Sequence, residues 1–269
     1  MGVVLSGIVA VVVASLFAGV LVWVVQQVTP EQKPEAHIEA TGFVFAVVGV
    51  LYAIVLAFIV IAVWDQMSNA RVNTYREATA LVDTYWYAQS LPEEDRERVE
   101  GLCKEYAELV IRDEWPRMQA HERVKMAGWD ALDRLRKAVE GSAPAPVTAS
   151  AAVAPAAEGL PSDAGYERAV AQIDALYEAR EVRVAAAAQG ISPVLWFVLV
   201  GGGILTVAFA YLFDIGGPVI QAVLAVGLTA MVTLLLFAVY QLEYPFSRGV
   251  RIDPEAFQFA LARFLQIGR

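Results

Sequence analysis

The chain has 269 residues, 58% hydrophobic and 18% charged, with a mean hydropathy of +0.52. Typical soluble domains carry about 25% charged residues, so this composition excludes both an ordinary soluble globule and a disordered chain. A formal net charge of −9 argues against nucleic-acid binding, which needs Lys and Arg at phosphates, and the single cysteine, Cys103, excludes an internal disulfide or a thiolate metal cluster.

Charge is absent from residues 1–30, 40–64, 184–213 and 215–242. Each stretch reaches the roughly 20 apolar residues that carry a helix across about 30 Å of hydrocarbon. The first span is expected over about residues 4–28. It has no basic leader and no small-residue cleavage site, and it is long for a signal peptide, so it reads as retained.

The second span is expected over about residues 41–64. Gly42, Phe45, Gly49, Tyr52, Leu56, Ile59 and Val63 recur there at spacings of three and four and share one helix face. That face alternates small and bulky residues. It suits either a constricted pore or close helix packing, and packing is the commoner meaning of such a stripe. No ionisable residue lies well inside any span, which argues against a proton relay and leaves open a pore gated by apolar constriction.

Residues 65–90 read as helix continuing out of the second span, with Ala78, Leu81, Val82 and Tyr85 as its stripe. Ser90-Leu91-Pro92-Glu93 has the form of a capping box and predicts a new helix, whose stripe includes Leu102, Tyr106, Leu109 and Val110. Glu93, Glu94, Asp95 and Glu97 read as a solvated first turn. Asp113-Glu114-Trp115-Pro116 is expected to interrupt the helix, because proline disfavours helix in the residue before it. Helix resumes through Trp129, Leu132 and Leu135 to Glu140. Residues 141–162, rich in Ala, Pro and Ser, read as a flexible linker. From residue 163 to 189 helix returns, carrying Ile173, Leu176 and Tyr177.

Gly190, Ser192 and Pro193 end that helix and start the third span, which runs to about residue 213. Asp214-Ile215-Gly216-Gly217-Pro218 is a tight turn into the fourth span, which ends near residue 242. The tail carries a short helix, capped by Asp253, started by Pro254, with Phe257, Leu261, Phe264 and Leu265 on one side. Trp23, Trp64, Trp196, Tyr211, Tyr240 and Tyr244 fall near span ends, where interfacial aromatics sit.

The predicted fold is therefore an all-α polytopic membrane protein with four transmembrane helices, arranged two and two around a helical cytoplasmic segment. Its parts are residues 1–64, 65–192, 193–243 and 244–269. The two short loops carry one basic residue, Lys33, against 15 in residues 65–183. Arg71, Arg76, Arg180, Arg183, Arg248 and Arg251 flank the spans and agree, so both termini and the central segment are expected on the cytoplasmic side of the plasma membrane.

No phosphate-binding loop, zinc-protease motif or nucleophile elbow occurs. The histidines, His37 and His121, are far apart. Gly201-Gly202-Gly203 lies mid-span, where glycines favour close packing, and Cys103 reads as a small buried hydrophobe. No enzymatic activity, cofactor or metal is expected.

Several features together resemble one family. They are Gly49…Tyr52-Ala53…Ala57-Phe58…Trp64, Glu77-Ala78…Leu81, Leu91-Pro92, Asp113-Glu114-Trp115-Pro116, Ala179-Arg180…Arg183, Pro193…Leu195-Trp196 and Leu242-Glu243-Tyr244-Pro245-Phe246…Gly249-Val250-Arg251…Pro254…Phe257. Over about residues 40–265 the chain resembles the bacterial bestrophin-like domain family of membrane proteins of unknown function. The resemblance implies two spans, a helical cytosolic region and two further spans, assembled as a homopentameric ion channel in the bacterial inner membrane around a pore lined by the second span. True bestrophins cluster Ile and Phe at the neck of that span; Phe58-Ile59 is a loose echo.

Single residues of these motifs also have structural meanings. Trp115 and Pro116 fix a helix break. Arg180 and Arg183 pair with Glu77 or Asp83, or mark the headgroup level. Glu243 and Arg248 flank Pro245 at the inner exit of the fourth span, where they pair, line a portal or end the helix. The outer loops hold Glu31, Glu35, Glu39 and Asp214 against Lys33, and residues 65–183 carry 22 acids against 15 bases. An acidic vestibule concentrates cations, so conduction of monovalent cations is expected slightly ahead of anions. The expected partners are a second copy of the chain and the bilayer, with no nucleic acid. The alternative is a membrane-anchored helical interaction or stress-sensing protein without conduction, and a weaker one is a membrane enzyme using Asp113, Glu114 or Glu243.

Overall fold

In the computed structural model the residues described are 2–28, 36–143, 163–210 and 218–268. Their regular structure is helical throughout: α1 (Gly2–Val28), α2 (Ala36–Ala88), α3 (Glu93–Leu109), a π turn (Val110–Glu114), α4 (Trp115–Gln119), α5 (Ala127–Gly141), α6 (Asp163–Ala188), α7 (Pro193–Ala210), α8 (Pro218–Leu242) and α9 (Glu255–Ile267). Among the described residues there is no strand. The expected outer acids Glu31, Glu35 and Asp214, with Lys33, lie outside the described residues, as do Tyr211, residues 144–162 of the expected linker and the side chains of Trp23 and Glu39.

The chain divides into two compact units, one of residues 1–67 and 190–243, the other of residues 68–189 and 244–269. The first unit holds α1, the first part of α2, α7 and α8. Here the helices follow from long charge-free runs that need every backbone N–H and C=O paired within the segment. Stretches within Phe45–Ala88 and Val219–Leu242 are long and apolar enough to cross a membrane, and α7 joins them when it is counted together with α6 as one bent pair. Helix α1 lies on α8 so closely that a side chain at Gly7 would meet the Phe237 ring at 2.7 Å. The unit turns large apolar side chains outward, among them Phe17, Phe43, Phe58, Phe197 and Val223.

The second unit has a conventional core. Leu81 and Tyr85 of α2, Leu132 and Leu135 of α5, Leu176 of α6 and Phe264 of α9 are almost fully buried. The acids Glu93 and Glu94 are exposed in the first turn of α3, as a helix N-terminus favours, with Asp95 half-buried beside them and Glu97 exposed just after.

Four local expectations are corrected. Ser90 does not cap α3: Pro92 occupies the cap position without a side-chain bond, and the Ser90 hydroxyl donates back to the carbonyl of Tyr87. Residues 113–116 do not break the helix. It widens instead into a π turn in which the N–H of Trp115 reaches the carbonyl of Val110, and Pro116, which has no N–H to give, opens α4. The break comes later, at residues 120–126. Asp253 does not cap α9; the cap position is Pro254, and Asp253 pairs with Arg251 at 3.4 Å. Phe257 and Phe264 are buried on α9 with Ala256 and Ala260, whereas Leu265 is 70% exposed and off that face.

Candidate functional site

Helix α2 has two contrasting faces in the first unit. Tyr52, Leu56, Ile59 and Val63 are buried in one cluster with Leu199 of α7 and Val232 and Val239 of α8. The Tyr52 hydroxyl donates to the Leu199 carbonyl at 3.0 Å, which satisfies its polar tip in an apolar site. The glycines of α7 make room for it: a Cβ on Gly202 would fall 2.6 Å from the Tyr52 ring, and one on Gly203 would fall 3.0 Å from its hydroxyl. Gly42, Phe45 and Gly49 on the same face are half-buried, and Phe45 lies 6.4 Å from the Phe209 ring. The stripe found in the sequence is thus seated on the chain's own helices.

The opposite face is Val47, Val50, Ile54, Phe58 and Ile61, again at spacings of three and four. All five are exposed, Phe58 by 68%. An apolar face of this length left uncovered needs lipid or another protein surface.

At the start of α7 and the end of α8, Glu243 is buried and accepts the N–H of Ile191 at 3.1 Å and the indole N–H of Trp196 at 3.0 Å. One carboxylate so ties together the ends of two apolar helices. Ser192 receives the N–H of Val194 at 3.4 Å, in keeping with its capping position.

The second unit encloses a charge cluster at its centre. Glu77 of α2, Glu114 of the π turn, and Arg180 and Arg183 of α6 are each at most 1% exposed. Arg183 donates to Glu77 through Nε at 2.6 Å and Nη2 at 3.0 Å, and Nη2 also reaches Glu114 at 2.9 Å. Arg180 grips Glu114 with two bonds, 2.9 and 2.5 Å. Tyr106 donates to Glu77 at 2.5 Å and accepts from Arg180 at 3.2 Å. Aromatic faces close the cluster: Trp129 lies 4.8 Å from the Arg180 guanidinium, and Trp115 and Phe257 each lie 5.7 Å from that of Arg183. Two carboxylates balance two guanidiniums, so the burial is electrically neutral.

The protonation states follow. Burial alone would raise the Glu114 pKa, but hydrogen bonds and charge from Arg180 and Arg183 outweigh it and hold the carboxyl below its ordinary range. For Arg183 burial works against the charge and is overcome by Glu77 and Glu114, so its pKa lies well above the usual value. Burial and the Glu77 charge push the Tyr106 phenol well up, keeping it a donor. A sealed cluster in which two acids meet two arginines has no open position for a substrate. It clamps α2, the π turn and α6 together.

The expected pairing of Arg183 with Glu77 is found, and Asp83 is exposed instead. Asp113 pairs on the surface with Arg117 at 3.2 Å. Trp115 is buried, its indole N–H on the Ile252 carbonyl at 3.2 Å. Arg248 lies over the Tyr244 ring at 4.7 Å. Tyr106 and Gly128 were missed as site residues. A Cβ on Gly128 would come within 2.1 Å of both Arg180 Nη2 and Glu114 Oε1, and a glycine early in a helix carries no sequence sign of that role. Among the described residues, no group of three His, Cys, Asp or Glu could hold a metal ion.

The family whose description matches the chain is the Bestrophin-like domain, over residues 12–257. No curated protein matches the chain. Among solved structures, the chain is similar to one variant of a bacterial bestrophin homologue from Klebsiella pneumoniae, with a TM-score of 0.69, 14% identity and coverage of 98% of each chain. Another variant of that homologue gives 0.69 at 13% identity, covering 100% of this chain and 99% of that one. A crystal structure described only as a membrane protein gives 0.68 at 13% identity, covering 99% and 98%. Likeness at this identity carries the fold.

Proposed function

The chain belongs to the Bestrophin-like domain family, and from that premise we propose that it is a homo-oligomeric ion channel with its pore built on α2. The observation that carries this reading is the pair of faces on α2. One is satisfied by the chain's own α7 and α8; the other is a charge-free row of Val47, Val50, Ile54, Phe58 and Ile61 left exposed. In the proposed assembly this second row, rather than the Tyr52–Val63 stripe, faces the symmetry axis, and Phe58 with its neighbours forms an apolar constriction.

The rest of the reading rests on sequence. Four spans, α1, the first part of α2, α7 and α8, cross the inner membrane, with both termini and residues 65–192 in the cytoplasm. Five copies form the ring by analogy with the family. The outer acids favour monovalent cations slightly over anions. No catalytic step is proposed: Glu114 is sealed among arginines, Asp113 is paired with Arg117 and Glu243 is occupied at helix ends.

Purified full-length protein in liposomes tests this. Flux of monovalent ions above empty vesicles is expected, and Phe58→Ala and Ile54→Ala are expected to change conductance. No flux under varied voltage and pH, or a monomer in detergent, would overturn the proposal.

A further inference from the structure

Residues 121–126, His-Glu-Arg-Val-Lys-Met, form the irregular segment between α4 and α5. They are far in sequence from any span, yet they are docked. His121 lies edge-on against the Tyr244 ring at 4.2 Å and 84°, and its Nε2 is 2.6 Å from the Ser247 hydroxyl. His121 takes a left-handed backbone conformation, φ 57°, which is uncommon outside glycine and is held here by those two contacts. Tyr244 is the second residue after α8 ends at Leu242, so chain length alone keeps it within about 8 Å of that helix end.

The docking gathers an unusual composition. Residues 121–126 and 247–253 contain Arg123, Lys125, Arg248 and Arg251 against two acids, Glu122 and Asp253, the latter paired with Arg251 at 3.4 Å, in a chain whose net charge is −9. Glu122 is itself engaged by Arg117 at 3.2 Å. Beside the bases stand two exposed apolar residues, Met126 at 68% and Val250 at 44%. Basic side chains interleaved with exposed apolar ones, on a segment that begins within a few residues of the end of a membrane span, are what an anionic bilayer surface attracts: the charges meet the headgroups and the apolar groups enter the interface.

We infer that the His121–Met126 segment and Ser247–Arg251 together form a contact surface for anionic lipid headgroups, assembled by the docking of His121 on Tyr244 and Ser247. The inference rests on the proposal that α8 spans the membrane. It gives this pair of loops a job that the channel reading leaves unassigned, a lipid-composition-sensitive hold on the segment that follows the fourth span.

The test uses the full-length chain with Met126→Cys carrying a bimane label. Cys103 is buried and will not take the label in the folded protein. The protein is reconstituted in phosphatidylcholine vesicles with or without phosphatidylglycerol, both containing brominated lipid as quencher. Quenching at least twofold stronger in the anionic vesicles is expected, with loss of that difference in Arg123→Ser/Lys125→Ser and in His121→Ala. Equal quenching in the two vesicles, or no response to removing the bases, overturns the inference. Abolition of the quenching by millimolar inorganic phosphate also overturns it, by revealing a free-anion site. A second label at Phe17→Cys, an exposed position of α1 outside the proposed pore row, separates the two proposals: quenching there without quenching at residue 126 sinks only this inference, and absence of quenching at both sinks the membrane reading with it.

Discussion

Arg183 and Glu77, separated by 106 residues, are joined by two hydrogen bonds of 2.6 and 3.0 Å, with both side chains sealed from solvent. Removing one partner of such a pair leaves an unpaired buried charge. Arg183→Met or Glu77→Leu alone is expected to cost about 3–5 kcal/mol, seen as a large fall in the unfolding midpoint in detergent. The double variant Glu77→Leu/Arg183→Met still leaves Tyr106 and Glu114 short of a partner, and is expected to recover part of the loss. A double variant no better than the singles would remove the pair as the source of the effect.

Gly128 supports the same cluster from outside. Its missing side chain admits the Arg180–Glu114 pair, since a Cβ there would stand 2.1 Å from both. Gly128→Ala therefore forces α5 away from α6, at a cost of about 1–3 kcal/mol from overpacking. Differential scanning fluorimetry should show this, with Gly141→Ala, which meets open space, as the silent control.

Acid should act through Glu114. Its folded pKa is depressed, despite burial, by Arg180 and Arg183. A depressed carboxyl contributes stability above its unfolded pKa, and that contribution fades as pH falls through the folded value. The contribution is thus complete at neutral pH and is lost only below the ordinary carboxylate range, near pH 4 and under. The unfolding midpoint of Glu114→Gln should be lower at pH 7 and should depend less on pH below 4; parallel curves for variant and parent would contradict this.

The two faces of α2 should respond oppositely to truncation. Leu56 is packed against α7 and α8, so Leu56→Ala is expected to cost about 2–5 kcal/mol of stability. Phe58 is exposed, so Phe58→Ala should leave single-chain stability near parent while altering conductance. Flux assays and thermal unfolding on the same preparations decide it; the reverse pattern would place the pore on the packed face.

Cys103 gives a check on the second unit. It is fully buried and its thiol pKa is pushed far up by burial and by Glu100. The native protein should resist thiol reagents at pH 8 and react only after denaturation.

The extent of the fold that sequence makes legible depends on which forces are local. The apolar runs that become α1, α7 and α8 are set by composition, and the continuation of α2 past Trp64 by an unbroken helical pattern. The stripe Tyr52, Leu56, Ile59, Val63 is legible as a face, but what covers it depends on the glycines of α7, far along the chain, which make room for Tyr52. Arg183 with Glu77 was within reach of charge reasoning. The place of Glu114 between two arginines was not, because it depends on where the π turn aims it. Ser90 and Asp253 mislead for a common reason: each short polar side chain has a nearer competitor, the Tyr87 carbonyl in one case and Arg251 in the other.

The π turn also sets the phase of α4, the helix after it. Upstream, Val99, Cys103, Tyr106 and Val110 mark the inward side at α-helical intervals, and unbroken α geometry would carry that side on through residues 113 and 117. Instead Glu114, Trp115 and Met118 are inside, and Asp113 and Arg117 pair with each other on the surface. The wide turn acts as a one-residue vernier. Closing the turn to ordinary α geometry with every residue retained would rotate the downstream helix by about 100°, carrying Asp113 inward and Glu114 away from the arginines, whereas deleting one residue of 110–112 would remove the extra residue and leave Glu114 and Met118 facing in.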